Sequence, residues 1–330
     1  MAGPRGCARV RAPQTDRLPP VTAPSSSTPN PPLGATVAHR TGLAWLAVAV
    51  VAYGGLWPVM RLTVELMEPF WFAVTRLGIG ALFLFAVTAA TGRLRLPRRA
   101  DVTAILSVGV FMMGLYVSIV HVAVQYVPAG RGALLAYSTP LWVTPMATLV
   151  LHEKMTRLKA VGLALGLSGL LVLFNPQALD WSDPDVLLGN GLCLLAAFSW
   201  SFAILHMRVH RATLSPVQLS PWQLTVATLV ALPFALIFEG APDATPGPAL
   251  WLLVAYGGLI GTGIALWSAQ SAMRNLPAVT VSTGLLGGPA LALVLSVAFL
   301  DEPLTLSLGG GIVLILGGIA CISIGSARRA

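Results

Sequence analysis

Charge is scarce in this 330-residue chain. Only 10% of residues are Asp, Glu, Lys or Arg, 56% are hydrophobic, and the mean hydropathy is +0.80. A typical soluble domain carries about a quarter charged residues, so an ordinary soluble protein is excluded. Cysteine is also scarce: Cys7, Cys193 and Cys321 have neither metal nor redox spacing and cannot form an even disulfide set, so no metal and no cofactor is expected. A Walker A loop is lacking, which argues against ATP hydrolysis by this chain alone. The basic start is not followed by the short apolar core and cleavage site of a signal peptide, so the first apolar run, from about Leu43, is expected in the mature protein.

What the chain has is long apolar runs. Ten stretches approach the length that spans a bilayer as helix, at about 43–60, 70–91, 103–125, 129–151, 158–174, 186–207, 217–238, 249–272, 277–299 and 304–326. Residues 1–40 are rich in Pro, Ser, Thr and Arg and read as a disordered cytoplasmic tail. The net charge of +8 does not point to nucleic acid, because the basic residues cluster between apolar runs. Arg5, Arg9, Arg11, Arg17 and Arg40, then Arg93, Arg95, Arg98 and Arg99, then Lys154, Arg157 and Lys159, then Arg208 and Arg211, then Arg274, then Arg328 and Arg329 all fall on one side if ten spans cross. Arg61, Arg76 and Arg131 are the exceptions, and most acids lie at the other side. The positive-inside rule then predicts both termini in the cytoplasm, for a multi-pass protein of the cytoplasmic membrane.

Shifting the chain by 149 positions aligns its halves without a gap. Gly109 meets Gly258, Gly114 meets Gly263, Pro128 meets Pro277, Pro140 meets Pro289, Glu153 meets Glu302, Thr156 meets Thr305 and Gly318 meets Gly169. Five spans is an odd number, so the second half is expected upside down relative to the first. Such inverted repeats suit alternating access to a site between the halves. The predicted fold is thus an all-α integral membrane protein of ten helices in two repeats, 43–174 and 186–326.

Ala129 to Leu173 and Ala278 to Ile322 carry a mid-helix Pro, a Glu-x-x-Thr loop and a glycine-rich last helix, and both resemble the second half of an EamA domain of the drug/metabolite transporter superfamily. Trp57-Pro58 and Trp200-Ser201 look like the tryptophan-containing first helices of the two repeats, and Arg76 in FAVTRLGIGALFLF looks like the family's arginine in helix 2. The resemblance implies a secondary transporter, not an enzyme, with its cavity among helices 1–4 and 6–9. It implies a small-molecule substrate and, first among its functions, export of amino acids or related metabolites. Import or exchange of anionic metabolites and drug efflux are the alternatives.

Polar side chains inside spans are costly and become site candidates. Arg76 would bind a carboxylate or phosphate through charge-assisted hydrogen bonds, or else tie down backbone carbonyls. Gly114, Ser118, His121 and Gln125 share one helical face, as do Gly263, Trp267, Gln270 and Arg274 at the same spacings. These stripes read as a pathway, or as interhelical glue. His121 and His206 are the intramembrane groups that could titrate near neutrality, or be buried neutral. No Asp or Glu lies in a span core, which argues against a carboxylate-based proton relay. Trp57, Tyr116, Tyr137, Trp200 and Trp267 are cavity candidates, whereas Trp45, Trp71, Trp222 and Trp251 suit the interfacial belt. Pro140 and Pro289 deprive the carbonyls of Ala136 and Leu285 of their donors and are kink or hinge candidates. Gly162, Gly166, Gly169, Gly311 and Gly318 read as helix packing. Gly166-Leu167-Ser168-Gly169 matches the G-x-S-G of rhomboid proteases. Its repeat mate Ile315-Leu316-Gly317-Gly318 keeps the packing glycine and drops the serine, so a hydrolase is only a remote alternative. A homo-oligomer is left open.

Overall fold

A computed structural model of the protein describes residues 3, 33–174, 180–210, 212–242 and 247–327. Among them the regular structure is all helical. Ten helices follow one another: α1 Leu33–Thr63, α2 Pro69–Ala90, α3 Arg99–Ala123, α4 Ala129–Val150, α5 Arg157–Leu173, α6 Pro184–Val209, α7 Pro216–Glu239, α8 Pro248–Asn275, α9 over 278–299, and α10 Leu306–Ala327. Among the described residues, nine helices have the length and apolar composition to cross a membrane; α5, with 17 residues, is the shortest of the ten. Of the tail expected over residues 1–40, residues 1–2 and 4–32 lie outside the described residues, and helix already begins at Leu33.

Local sequence sets the ends. Pro69, Pro184, Pro216 and Pro248 stand in the first turns of α2, α6, α7 and α8, where a missing N–H costs nothing. Thr156 Oγ1 accepts from Lys159 N at 3.1 Å, and Thr305 Oγ1 accepts from Leu308 N at 3.1 Å, capping α5 and α10 alike.

Contacts between helix ends sort the loops onto two faces. Glu239 at the end of α7 accepts from Phe70 N and Trp71 N at the start of α2, and Arg61 at the end of α1 donates to the carbonyls of Val124 and Gln125 after α3. Glu302 after α9 accepts from Ala129 N and Gly130 N at the start of α4. These odd-numbered connections form an acidic face. On the other face, Asp101 accepts from Thr213 N and Leu214 N before α7, Trp222 donates to the Arg95 carbonyl, and Arg208 pairs with Glu153. This is the arginine-rich face. The chain therefore crosses from face to face with each helix, and equivalent helices of the two repeats run in opposite directions.

The packing repeats as well. α1 packs on α8 and α9 as α6 packs on α3 and α4, while α2 packs on α7 and α8 as α7 packs on α2 and α3. α5 and α10 form their own pair outside this ring, seamed by glycines: a Cβ on Gly162 would lie 2.5 Å from the Gly318 carbonyl oxygen. Lipid supplies no hydrophobic drive between helices, so such close backbone contact is what holds the pair.

Two irregularities recur in both halves. α3 widens to a π-helix over Val108–Leu115 and α8 over Tyr256–Ile264. α4 breaks after Ala136 and α9 after Gly284, just ahead of Pro140 and Pro289. The carbonyls that the prolines leave without a helical donor find others: Ala136 O accepts the Thr139 hydroxyl at 3.1 Å, and Leu285 O accepts Gly288 N at 2.9 Å. Non-helical backbone at membrane depth is tolerated only when it is buried in protein or lines a cavity, and these breaks lie inside the ring.

Candidate functional site

The centre of the ring is built around Arg76 on α2, which is 8% exposed. Its Nε donates to Thr262 Oγ1 on α8 at 2.8 Å, and one terminal nitrogen donates to Met60 Sδ on α1 at 3.4 Å. The same nitrogen stands 3.5 Å from His121 Nε2 on α3. His121 is fully buried, and its Nδ1 lies 2.5 Å from the Val117 carbonyl, which only accepts. That contact puts the proton on Nδ1 and turns the Nε2 lone pair toward the guanidinium. Phe72 meets the imidazole edge-on at a centroid distance of 4.8 Å. Two repeats and four helices thus converge on one cation, and its named partners are a hydroxyl, a thioether and an imidazole, all neutral. The ion pairs Arg61–Glu65, Lys159–Glu153 and Arg208–Glu153 lie at helix ends, away from this centre.

The π-helix of α8 positions Thr262. Its hydroxyl donates to the Gly257 carbonyl five residues back at 2.8 Å, leaving the oxygen lone pairs for Arg76 Nε. A π segment rotates the following side chains relative to an α-helix and often marks a functional site. The sequence carried a signal for it, since Gly109 and Gly114, like Gly258 and Gly263, stand five apart. Close packing keeps them small: a Cβ on Gly258 would lie 2.6 Å from the Ile79 side chain, and one on Gly114 2.9 Å from Val230.

An aromatic wall packs beside the guanidinium, against the cluster that holds its partner Met60. Tyr116 meets Trp200 edge-on at 4.6 Å. Trp57 is buried in the same apolar cluster as Met60, Phe72 and Val120, against which Tyr116, Tyr137 and Tyr256 pack. Gly132 and Gly288 make room for two of these rings. A Cβ on the first would stand 3.1 Å from Trp57, and on the second 3.2 Å from the Tyr137 hydroxyl. Ser118 Oγ, one turn before His121 and buried, has no hydrogen-bond partner among the described residues.

Three sequence candidates sit elsewhere. Gln270 donates to Ser220 Oγ at 2.6 Å and joins α8 to α7. Trp267 packs with the cluster around Leu77 and Leu84, and Arg93 and Arg274 approach its ring to 5.7 and 6.0 Å. His206 stacks on His210 at 4.1 Å at the end of α6 and does not join the group around Arg76. Met60, Phe72, Thr262 and Tyr256 belong to the site surroundings and are not foreseen in the sequence, because they lie outside the two repeated polar stripes and nothing in their local pattern sets them apart from other span residues. Ser168 is exposed on α5 and donates to the Ala164 carbonyl of its own helix at 2.9 Å, as a packing-neutral serine does.

This arrangement defines a multi-pass membrane protein with two five-helix repeats around a central polar site. The EamA-like transporter family model matches residues 40–175 and 187–324, one match per repeat, and the chain belongs to that family. It is a transporter and not an enzyme. Relatives agree: YoaV of Bacillus subtilis, an uncharacterised transporter, is 30% identical over 279 residues, covering 84% of this chain and 94% of the relative. A probable terminal-alkyne amino-acid exporter of Streptantibioticus cattleyicolor is 27% identical, covering 82% and 90%. A solved crystal structure shares the fold, with a TM-score of 0.61 at 24% identity over 89% of this chain and 98% of its own.

Proposed function

We propose that this chain exports amino acids, or related metabolites bearing a carboxylate, by alternating access, and that Arg76 contacts the carboxylate. The observation that carries this reading is a buried guanidinium whose named partners are all neutral. A cation at membrane depth costs several kcal/mol unless an anion or polar cage meets it, so a carboxylate arriving there gains a charge-assisted bond that water would not give. Ser118 would serve as a further polar contact, and the rings of Trp57, Tyr116, Tyr137 and Trp200 would take the substrate's apolar part. The exporter named for the Streptantibioticus relative supports the amino-acid class. We place the arginine-rich face, both termini and the tail in the cytoplasm, following the positive-inside rule. The repeats would span 43–174 and 186–326, with Pro140 and Pro289 at the bends that let α4 and α9 move.

Thermal shift of the purified protein tests the substrate class: each amino acid is compared with the amine that lacks its carboxylate, beside phosphorylated metabolites and nucleotide sugars. Stabilisation by an amino acid and not by its amine is expected. Stabilisation by amines alone would overturn the reading and favour efflux of cations held by the aromatic wall. Thr262→Val removes the acceptor that aims Arg76. It is expected to raise the substrate KM about tenfold in proteoliposomes, the loss of one hydrogen bond to a charged group, with insertion unchanged.

A further inference from the structure

The α4–α5 and α9–α10 loops are repeat mates whose backbones match residue by residue. His152 (φ 53°) and Asp301 (φ 52°), 149 positions apart, are the non-glycine residues with left-handed backbone among those described. Each is followed by a glutamate whose N–H returns to its own helix, Glu153 to Ala147 O at 3.2 Å and Glu302 to Ser296 O at 3.4 Å. The helix starts match too, since Pro128 and Pro277 precede α4 and α9 with identical φ −55° and ψ 142°. Both faces therefore own the same two parts: an arm bearing a carboxylate, and a helix N-terminus whose first amides lack an acceptor within their own helix.

The two carboxylates are seated differently. Glu302 Oε1 accepts from Ala129 N at 2.5 Å and Oε2 from Gly130 N at 3.1 Å, bonding the second repeat to the first. Gly130 allows this approach, because a Cβ there would stand 3.2 Å from Glu302 Oε2. Glu153 is held instead by Lys159 Nζ at 3.3 Å and by Arg208. Burial by itself would raise the Glu153 carboxyl, but the bonds and charges of Arg208 and Lys159 outweigh it and hold it below the usual carboxylate range. The sequence explains the difference. Aligning Trp57 with Trp200 puts Glu65 where α6 has Arg208, so the acidic face offers Glu302 a like charge at that place.

We propose that Glu302 and Glu153 are reciprocal latches of the transport cycle: Glu302 seated on the α4 N-terminus holds the acidic face shut, and Glu153 exchanges between its Arg208–Lys159 seat and the α9 N-terminus to shut the other. The structure captures the first latch engaged and the second on its alternative seat. Both are positioning residues, since they touch helix ends and not substrate. A cavity of about 330 Å³ lined by Arg61, Glu65, Gln125, Leu300 and Glu302 lies beside the engaged latch, where α4 would part from the α9–α10 loop. Arg208 is the competing partner that biases the pair, and the proposal holds whatever the substrate.

Spin-label distances in lipid nanodiscs test it, in a background with the native cysteines replaced. One pair at Gln125 and Leu304 reports the acidic face, and one at Met155 and Met273 the arginine-rich face; all four positions are exposed. Glu302→Gln is expected to lengthen the first distance and shorten the second, raising the acidic-face-open fraction relative to the closed about tenfold, as losing a charge-assisted bond in one state does. Arg208→Gln is expected to shift both distances the same way by freeing Glu153, and adding Glu153→Gln to it to reverse the shift. A Glu302→Gln protein that widens one face without closing the other has lost only a helix cap, and the proposal falls. It falls equally if the Arg208→Gln shift is absent or survives Glu153→Gln. Should Glu302→Gln not insert, the variants at the exposed Arg208 and the half-buried Glu153 decide alone.

Discussion

Arg76→Gln is expected to lower transport of the carboxylate substrate at least a hundredfold in proteoliposomes and to abolish its thermal-shift response, while the ligand-free protein inserts and melts as before. The two halves of this expectation come from different terms. A charge-assisted bond formed away from water contributes about 3 kcal/mol, which is about a hundredfold in binding. The ligand-free state loses the bonds to Thr262 and Met60, yet it also loses a buried cation, and replacing a buried charge by a neutral group is often close to neutral for stability. A variant that transports normally would make Arg76 a strut between α2 and α8. One that fails to insert would show that the guanidinium is needed for assembly. A lysine in its place keeps the charge but not the planar fork that reaches both Thr262 and His121, so Arg76→Lys is expected to recover only part of the activity.

Gly318→Val is expected to produce the largest loss of stability, about 3 kcal/mol or more, because overpacking here meets backbone and not a movable side chain. A Cβ at Gly318 would stand 2.5 Å from the Gly162 carbonyl oxygen and 2.6 Å from Gly166 N, so α5 and α10 would have to separate along their whole seam. The neighbouring Gly317 has nothing within 4 Å of its missing Cβ, so Gly317→Val is the control and is expected to be near neutral. Thermal unfolding in detergent, read by the monodisperse fraction after heating, separates the two. If both variants melt alike, the glycine seam does not hold the pair. The same seam accounts for the G-x-S-G match, where Gly169 packs on Ile315 of α10 and Gly166 fits between Gly318 of α10 and Leu141 of α4, while Ser168 is turned outward.

Much of the architecture was legible because a membrane makes composition informative. Apolar runs of bilayer length, basic clusters at alternate connections and a gapless shift of 149 positions define ten helices and two repeats without knowledge of a single contact. The polar candidates were legible for the same reason, since a group such as Arg76 or His121 stands out in apolar surroundings. Their company was not. Thr262 becomes a partner of Arg76 only because a π turn in α8 rotates it there, and Met60 only because α1 crosses α2 at that depth. His206 and Gln270 look equivalent to His121 in sequence, yet helix-end position gives one a histidine neighbour and packing gives the other Ser220.

The glutamate loops show the boundary most clearly. Sequence alone determined that Glu153 and Glu302 are repeat mates at helix ends on opposite faces, because register and span count require it. Which of them caps a helix of the other repeat and which pairs with Arg208 was decided only by tertiary structure. Carboxylate, amide and guanidinium lie far apart in the chain, and the choice between near-equal electrostatic partners depends on how the two halves are tilted together.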